Sequence, residues 1–435
     1  MGGLTNAASG SNLQSFRYQT SEQGSVIPIV YGTARVSPNL IEYFGLSPDG
    51  GGKGGKGGGG SSGGKGKSEN TQYSVDVAFG ICQGPITGLG NVWVSQGIEP
   101  FADSGLSLYA GSDGQSPDPV FESLDPNAPV LGYSGTAYVT GTPLQLGSAP
   151  ALPNYSFEVI GALNGTDGAY PNDANPADIL FDMLTNSRYG AGFPAANIAE
   201  LADYRNYCLA AGLELSPVLD SQQDAAQNLS DVATVTNAAV VWSGNLLKLI
   251  PYGDTALSAN GATWSPNLVP AYSLGDDDFL PWESASGTGR GSAAVGSDDP
   301  VIVTRINPAD ATNWLSLEFS DRTNFYDYAV VAAFDQGAVD QFGLRMEASI
   351  EAHGVCQQAV AATAAQLLLQ RRQYIRNTYK FQLGWKYCLL EPMDIVLVTD
   401  ATLGLVEAPV RITSVEENDT GELTVEAEEI PGLTP

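Results

Sequence analysis

The sequence predicts an α+β chain, mainly β, divided among several domains. Three observations lead there. At 435 residues the chain is too long for one hydrophobic core. Its 51 Gly and 26 Pro interrupt it every few residues, which leaves little room for long helices. Between those breaks lie many short runs rich in Val, Ile, Tyr and Thr, as strands are.

Taken in order, residues 25–31 and 34–44 read as strands. Residues 50–67 are almost wholly Gly, Lys and Ser, have nothing to bury, and are expected to be flexible. Strand character resumes at 73–81 and 91–94, so the pattern predicts a β-hairpin with a long tip. Residues 95–150 are broken by Asp-Pro, Ser-Pro and Thr-Pro, with strand signals at 136–140 and, beyond them, at 155–160. Asn175, Pro176 and Asp178 make the clearest helix start in the chain: a capping amide, a proline at the first helical position, and an acid at the positive end of the dipole. Ile179, Leu180, Met183 and Leu184 form its apolar face, and Tyr189-Gly190 closes the segment.

A second helix is predicted over 195–211, with Ile198, Leu201, Cys208 and Leu209 on one face and Gly212 just past its end. A third covers 224–233. Residues 238–242 and 246–250 read as a hairpin around Ser243-Gly244-Asn245. Residues 253–300 are loop-rich and acidic, and strands follow at 300–306, 314–319 and 328–334. The longest helix, 357–376, carries Val360, Ala364, Leu367, Leu368 and Ile375 on one face. Its basic end, Arg371, Arg372 and Arg376, suits the dipole. Strands at 380–385, 395–399, 410–415 and 422–427 complete the chain, the last pair joined at Asp419-Thr420-Gly421. The expected division is 1–165, a β-rich region carrying the Gly/Lys loop; 166–255, a central α+β domain; 256–335, a second β-rich region; and 336–435, a helix plus β domain.

Composition narrows the function. With 19 Lys+Arg against 48 Asp+Glu the net charge is −29, which argues against a chain that grips nucleic acid. The acids keep the protein dispersed at high local concentration, or line a passage past which DNA slides. Cys82, Cys208, Cys356 and Cys388 are far apart and form no CxxC pair, so reduced, mostly buried thiols are expected, and neither a zinc site nor a disulfide scaffold. No run of 18 apolar residues occurs. The polar start has no secretory apolar segment, and Asn6 stands where a myristoylation signal needs Ser or Thr.

No catalytic constellation holds together. His353 is the one histidine, and there is no GxSxG elbow. His353 and Cys356 are close in sequence, but the pair reads as a polar residue and a thiol ahead of a helix. In the Gly/Lys stretch, Gly66 follows Lys65 where a phosphate loop needs Ser or Thr, and a strand follows where it needs a helix. Asp276-Asp277-Asp278 lacks the alternation of an EF-hand loop. No cofactor, metal or catalytic residue is therefore assigned. The candidate contact residues are the four lysines of the loop, Lys53, Lys56, Lys65 and Lys67, about a fifth of the basic residues, set on one segment of an acidic chain.

Several segments, in order, resemble one family. Gly24-Ser25-Val26-Ile27-Pro28-Ile29-Val30-Tyr31-Gly32 is similar to the opening strand of the tail-tip attachment, or baseplate hub, proteins of long flexible-tailed phages, the lambda-like tip protein core. So are residues 76–86 (Asp76 to Ile86), Gly135-Thr136-Ala137-Tyr138-Val139, and Pro153-Asn154-Tyr155-Ser156-Phe157-Glu158-Val159. The helix from Asp178 to Leu184 ending in Arg188-Tyr189-Gly190, the stretch Leu390-Glu391-Pro392-Met393-Asp394-Ile395-Val396, and residues 410–417 (Val410 to Glu417) resemble it too. Met393 stands where the family usually has Gly, a departure expected to be harmless in a turn. The resemblance implies a homotrimer with four hub domains per chain, two of them tail-tube-like β-barrels. It implies a non-enzymatic hub that closes the tail tube, links it to host-recognition components and takes part in DNA ejection. Implied partners are the distal tail protein ring, the tape-measure protein and receptor-binding or tail-fibre proteins, with phage DNA passing through without specific binding. The implied location is the virion tail tip, after assembly in the host cytoplasm. The alternatives are a receptor-binding tail protein that touches the host surface and a tail-associated glycan or peptidoglycan hydrolase.

Overall fold

Short apolar-alternating runs become strands throughout the computed structural model, which describes residues 24–49, 72–95, 97–124, 131–163, 165, 168–282 and 300–431. The fold is mainly β with a smaller helical part. It divides into two units. The first is Met1–Asn164, Ser216–Gln222 and Arg322–Tyr328; the second is Gly165–Leu215, Gln223–Asp321 and Ala329–Pro435.

In the first unit the strands are β1 (Ile29–Val30), β2 (Thr33–Val36), β3 (Asn39–Asp49), β4 (Gln72–Gln83), β5 (Gly88–Val94), β6 (Gly97–Pro100), β7 (Ser107–Tyr109), β8 (Thr136–Gly147), β9 (Tyr155–Ile160) and β10 (Val218–Leu219), with a short helix α1 (Pro119–Leu124). They form two antiparallel four-stranded sheets, ordered β3-β4-β8-β7 and β2-β9-β5-β6, and β1 pairs with β10. The side chains of Val75, Val77, Phe79 and Ile81 alternate along β4 into a core shared with Phe157 and Val159 of the other sheet. Phe79 meets the Tyr155 ring at 5.1 Å. The expected hairpin is present: β3 and β4 pair up to Asp49↔Gln72, on either side of the Gly/Lys segment. The strand expected over 25–31 shrinks to two residues, because Pro28 has no N–H to give to a ladder. Gly84, within one of the family-like segments, sits against Gly111. A Cβ on Gly84 would lie 2.5 Å from the Gly111 Cα, and Gly111 has φ +83°, so the two backbones touch because neither residue has a side chain.

In the second unit α2 (Pro176–Thr185) begins as expected, with the Asn175 side chain accepting from the Ala177 N–H at 2.9 Å. The helix predicted over 195–211 is shorter. It is a 3-10 turn, Ala195–Asn197, then α3 (Ala202–Ala211), ending at Gly212 in the left-handed region. Ile198 and Leu201 fall outside it, because Ile198 bridges to Leu247 and the Ala199 N–H is given to the Leu247 carbonyl. Next come α4 (Ala225–Val235) and the hairpin of β11 (Ala238–Ser243) and β12 (Leu246–Pro251), turning at Gly244 and Asn245 with φ 58° and 63°. The loop-rich stretch holds β13 (Leu257–Ala259), β14 (Ala262–Trp264), β15 (Tyr272–Leu274) and β16 (Phe279–Leu280). Then follow β17 (Ile302–Arg305), β18 (Trp314–Asp321), β19 (Asp327–Phe334) and β20 (Ile350–Glu351). Helix α5 (Gln336–Phe342) was not legible in the sequence; Asp335 caps it by accepting from the Ala338 N–H. The long helix is α6 (Gln358–Tyr374), and β21 (Asn377–Leu383), β22 (Ile395–Asp400), β23 (Leu405–Glu417) and β24 (Leu423–Glu429) complete the chain. Strands β15-β22-β23-β24-β21-β16, with β17 also on β21, form one seven-stranded sheet around Phe381, Val396, Val410, Ile412 and Val425.

Candidate functional site

The four loop lysines, Lys53, Lys56, Lys65 and Lys67, lie outside the described residues. The remaining chemistry-bearing residues occupy structural positions. His353 sits between β20 and α6, its Nε2 2.8 Å from Glu318 Oε1 and its carbonyl accepting from the Ser320 hydroxyl. Cys82, Cys208 and Cys356 are buried and Cys388 is exposed. Burial pushes the Cys82 thiol up to about 12 and raises Cys208 as well, which disfavours a reactive thiolate at either. Asp278 is held by the Lys386 ammonium at 2.7 Å and accepts from the Gly275 N–H, and these bonds pull its carboxyl down to about 2. Among the described residues no group of three or more His, Cys, Asp or Glu is placed to hold a metal.

In the first unit a polar staple joins three distant parts of the chain. Arg322 donates from Nη2 to the Thr33 carbonyl at 2.9 Å and to the Ser216 hydroxyl at 3.2 Å, and from Nε to the Tyr326 hydroxyl at 3.2 Å. Tyr326 donates to Glu158 Oε1 at 2.8 Å, and Glu158 Oε2 accepts from the Asn91 backbone and side chain. The Tyr326 ring meets Trp93 edge-on at 6.2 Å, and the Arg35 guanidinium lies over the other ring of that pair, Trp93, at 4.4 Å. Phe325 and Tyr326 both have positive φ, 59° and 65°, a conformation costing about 1–2 kcal/mol per non-glycine residue and held only because surrounding contacts fix it. Glu158 belongs to a family-like segment, but its partner across 168 positions left no pattern to read in the sequence.

In the second unit the apolar outer face of β19 is exposed. Val331 and Ala333 point inward while Val330, Ala332 and Phe334 point out. Trp314 stacks on Phe334 at 4.7 Å, and Leu344 and Met346 are also exposed. Contiguous apolar surface of this kind marks a contact region in an assembling protein. The segment around Glu391, also family-like, clamps the β11–β12 hairpin. Glu391 accepts from the Ser243 hydroxyl at 2.6 Å and pairs with the Lys248 ammonium. Met393 beside it has φ 76°, so the departure from Gly is not cost-free: a side chain is held where glycine would be unstrained. Arg371 lies over the Tyr252 ring at 3.3 Å, and Arg411 donates to the Tyr252 carbonyl at 3.3 Å. Both arginines share Glu428, each at 3.8 Å; burial raises the Glu428 carboxyl while the two guanidiniums oppose that rise.

Comparison with known proteins agrees with a structural reading. Residues 224–415, somewhat under half of the chain, match the family described as "Putative phage tail protein". No curated protein matches the sequence. A chain in the "Virion of native gene transfer agent (GTA) particle" is similar over 96% of this chain and 88% of its own, at 18% identity and TM-score 0.63. The 43 kDa tail protein of prophage MuSo2 from Shewanella oneidensis aligns over 95% and 96% at 13% identity, with a TM-score of 0.34. Prophage tail protein gp18 from Listeria monocytogenes EGD-e aligns over 84% and 86% at 10% identity, with a TM-score of 0.30. Of these three, the gene transfer agent chain is the one whose TM-score bears on the fold. Residues 224–415 thus resemble the phage tail family, and along nearly its whole length the chain is similar in fold to a chain in a gene transfer agent virion.

Proposed function

We propose that this chain is the hub of a phage tail tip, closing the tail tube and joining it to the components that meet the host. Its coarser role, a structural protein of a phage tail within the virion, rests on the family match. The single observation that carries the proposal is the fold likeness to a virion chain, which extends over 96% of the sequence and so includes both units. Two features fit a scaffold that bears load. Partly buried polar ties such as the Arg322–Tyr326–Glu158 staple fix distant segments of one unit. Open apolar strand faces such as Val330–Phe334, beside Trp314, suit permanent subunit contacts. The two stacked sheets of the first unit and the seven-stranded sheet of the second are the elements that would serve as tail-tube-like β-barrels.

In this proposal the chain acts as a homotrimer against the distal tail protein ring, with the tape-measure protein inside and DNA passing without specific contact. Lys53, Lys56, Lys65 and Lys67 would touch an acidic neighbour. Quantitative mass spectrometry of purified virions tests the stoichiometry. Three copies are expected, against six of a tail-tube ring component; six or one would end the hub assignment.

A further inference from the structure

A cavity of about 340 Å³ in the second unit has a lining that identifies the shape of its occupant. From β11 it takes four consecutive residues, Ala238, Ala239, Val240 and Val241. Successive side chains of a strand point to opposite faces, so a wall that includes every residue is the edge of the strand and not one of its faces. That edge is open: β11 pairs only with β12, and no strand lies on its other side among the described residues. Two further walls are helix faces, Ser230, Ala233 and Thr234 of α4 and Leu368, Arg371 and Arg372 of α6, spaced three and four apart, and Tyr252, Pro392 and Thr413 complete the lining. Met393, held at positive φ, projects into the same space.

Two polar atoms in this wall have no hydrogen-bond partner. Asn237 is 4% exposed; its side chain lies against the Tyr207 hydroxyl, and its Oδ1 accepts no hydrogen bond. The Arg371 Nε–H is buried and donates to nothing. One needs a donor and the other an acceptor, and a buried polar atom left unmet is unfavourable. The charges nearby nearly balance. Arg371, Arg372 and Arg411 stand against Glu428, Glu347 and Asp254, and the C-terminal ends of α4 and α6 add partial negative charge. A neutral group with one donor and one acceptor therefore fits better than an anion. A peptide unit has that pair. In addition, β11 reads Ala-Ala-Val-Val-Trp-Ser, without charge or proline, and such an edge is normally covered.

We propose that this cavity receives an extended peptide segment of a partner protein, which adds as a third strand along the free edge of β11. One of its amides lies between Asn237 Oδ1 and Arg371 Nε, and a small apolar side chain enters between Ala233, Leu368 and Met393. Backbone pairing supplies the affinity in this mode, and the side-chain pocket supplies the selectivity. The site stands on the cavity alone and holds whether or not the chain is a hub.

The test uses the full-length protein and two probes, the capped peptide acetyl-Lys-Val-Thr-Val-Lys-amide and the same peptide N-methylated at all five residue amides. The second keeps the side chains and charges but has no residue N–H on either edge to give to a strand. Hydrogen exchange of residues 238–243 is followed at millimolar peptide. The unmodified peptide should slow exchange there by at least about tenfold, and the methylated one should not. Asn237→Gly, which keeps the backbone at φ 51° available without strain, should weaken binding about tenfold. Arg371→Lys, which keeps the charge but loses the Nε donor, should do the same and serves as the deciding variant if Asn237→Gly does not fold. Equal effects of the two peptides, no effect of either, or unchanged binding by the folded variants would overturn the proposal.

Discussion

Replacing Tyr326 by Phe isolates the staple that holds the first unit together. Both residues pay the same cost for a positive φ, and Phe fills the same space beside Trp93, so backbone strain and ring packing largely cancel. What is lost is the hydroxyl, which donates to Glu158 at 2.8 Å and accepts from Arg322 at 3.2 Å. Hydrogen bonds to charged groups contribute about 1.5–3 kcal/mol each. Glu158 keeps its Asn91 partners, and Arg322 keeps Thr33 and Ser216, so neither charge is abandoned. The loss is accordingly about 2 kcal/mol, or about 30-fold in the local opening equilibrium. Hydrogen exchange read by mass spectrometry should show peptides covering 322–328 exchanging about 10- to 100-fold faster, with the seven-stranded sheet of the other unit unchanged. A change below about threefold, or an equal change in both units, would refute the idea that this network fixes the segment.

Other perturbations have defined outcomes. Asp278→Asn should destabilise at neutral pH by about 0.5–1 kcal/mol, discounted because the Lys386 side chain is 66% exposed. The folded carboxyl is depressed, so its contribution is complete above the unfolded value of 3.8 and is lost as pH falls toward about 2; the variant and parent should converge there in urea titrations. Met393→Gly should raise thermal stability by about 1 kcal/mol, because glycine takes φ 76° without strain; a large destabilisation would mean that the Met393 side chain is a packing element. Gly111→Ala should cost several kcal/mol, since its Cβ would meet the Gly84 Cα at 2.7 Å on a backbone with φ +83°; an unchanged urea midpoint would contradict that close approach. Phe381→Ala, at 0% exposure in the seven-stranded sheet, should cost about 3–5 kcal/mol.

Local chemistry made much of this fold readable. Asn175-Pro176 announced α2 because a cap and a proline act over one turn, and Gly212 announced the end of α3 because a left-handed stop needs no distant partner. The hairpin at Ser243-Gly244-Asn245 was legible for the same reason. Where distant residues decide, the sequence was silent. Ile198 left the predicted helix for a bridge to Leu247, and the parallel pairing of β15 with β22 joins segments more than a hundred positions apart. The partners of Arg322 and the cavity beside β11 are likewise assembled from residues with no common spacing. The lysine loop had the clearest compositional signal, and it lies outside the described residues.

The hub assignment meets its most direct test in an averaged map of intact virions, resolved well enough to place the four-stranded sheets of the first unit and the seven-stranded sheet of the second. The account predicts three copies arranged around the axis at the distal end of the tail tube, enclosing the passage and meeting the ring above. Six copies, a single copy, or density on the tube wall or in the head would contradict it.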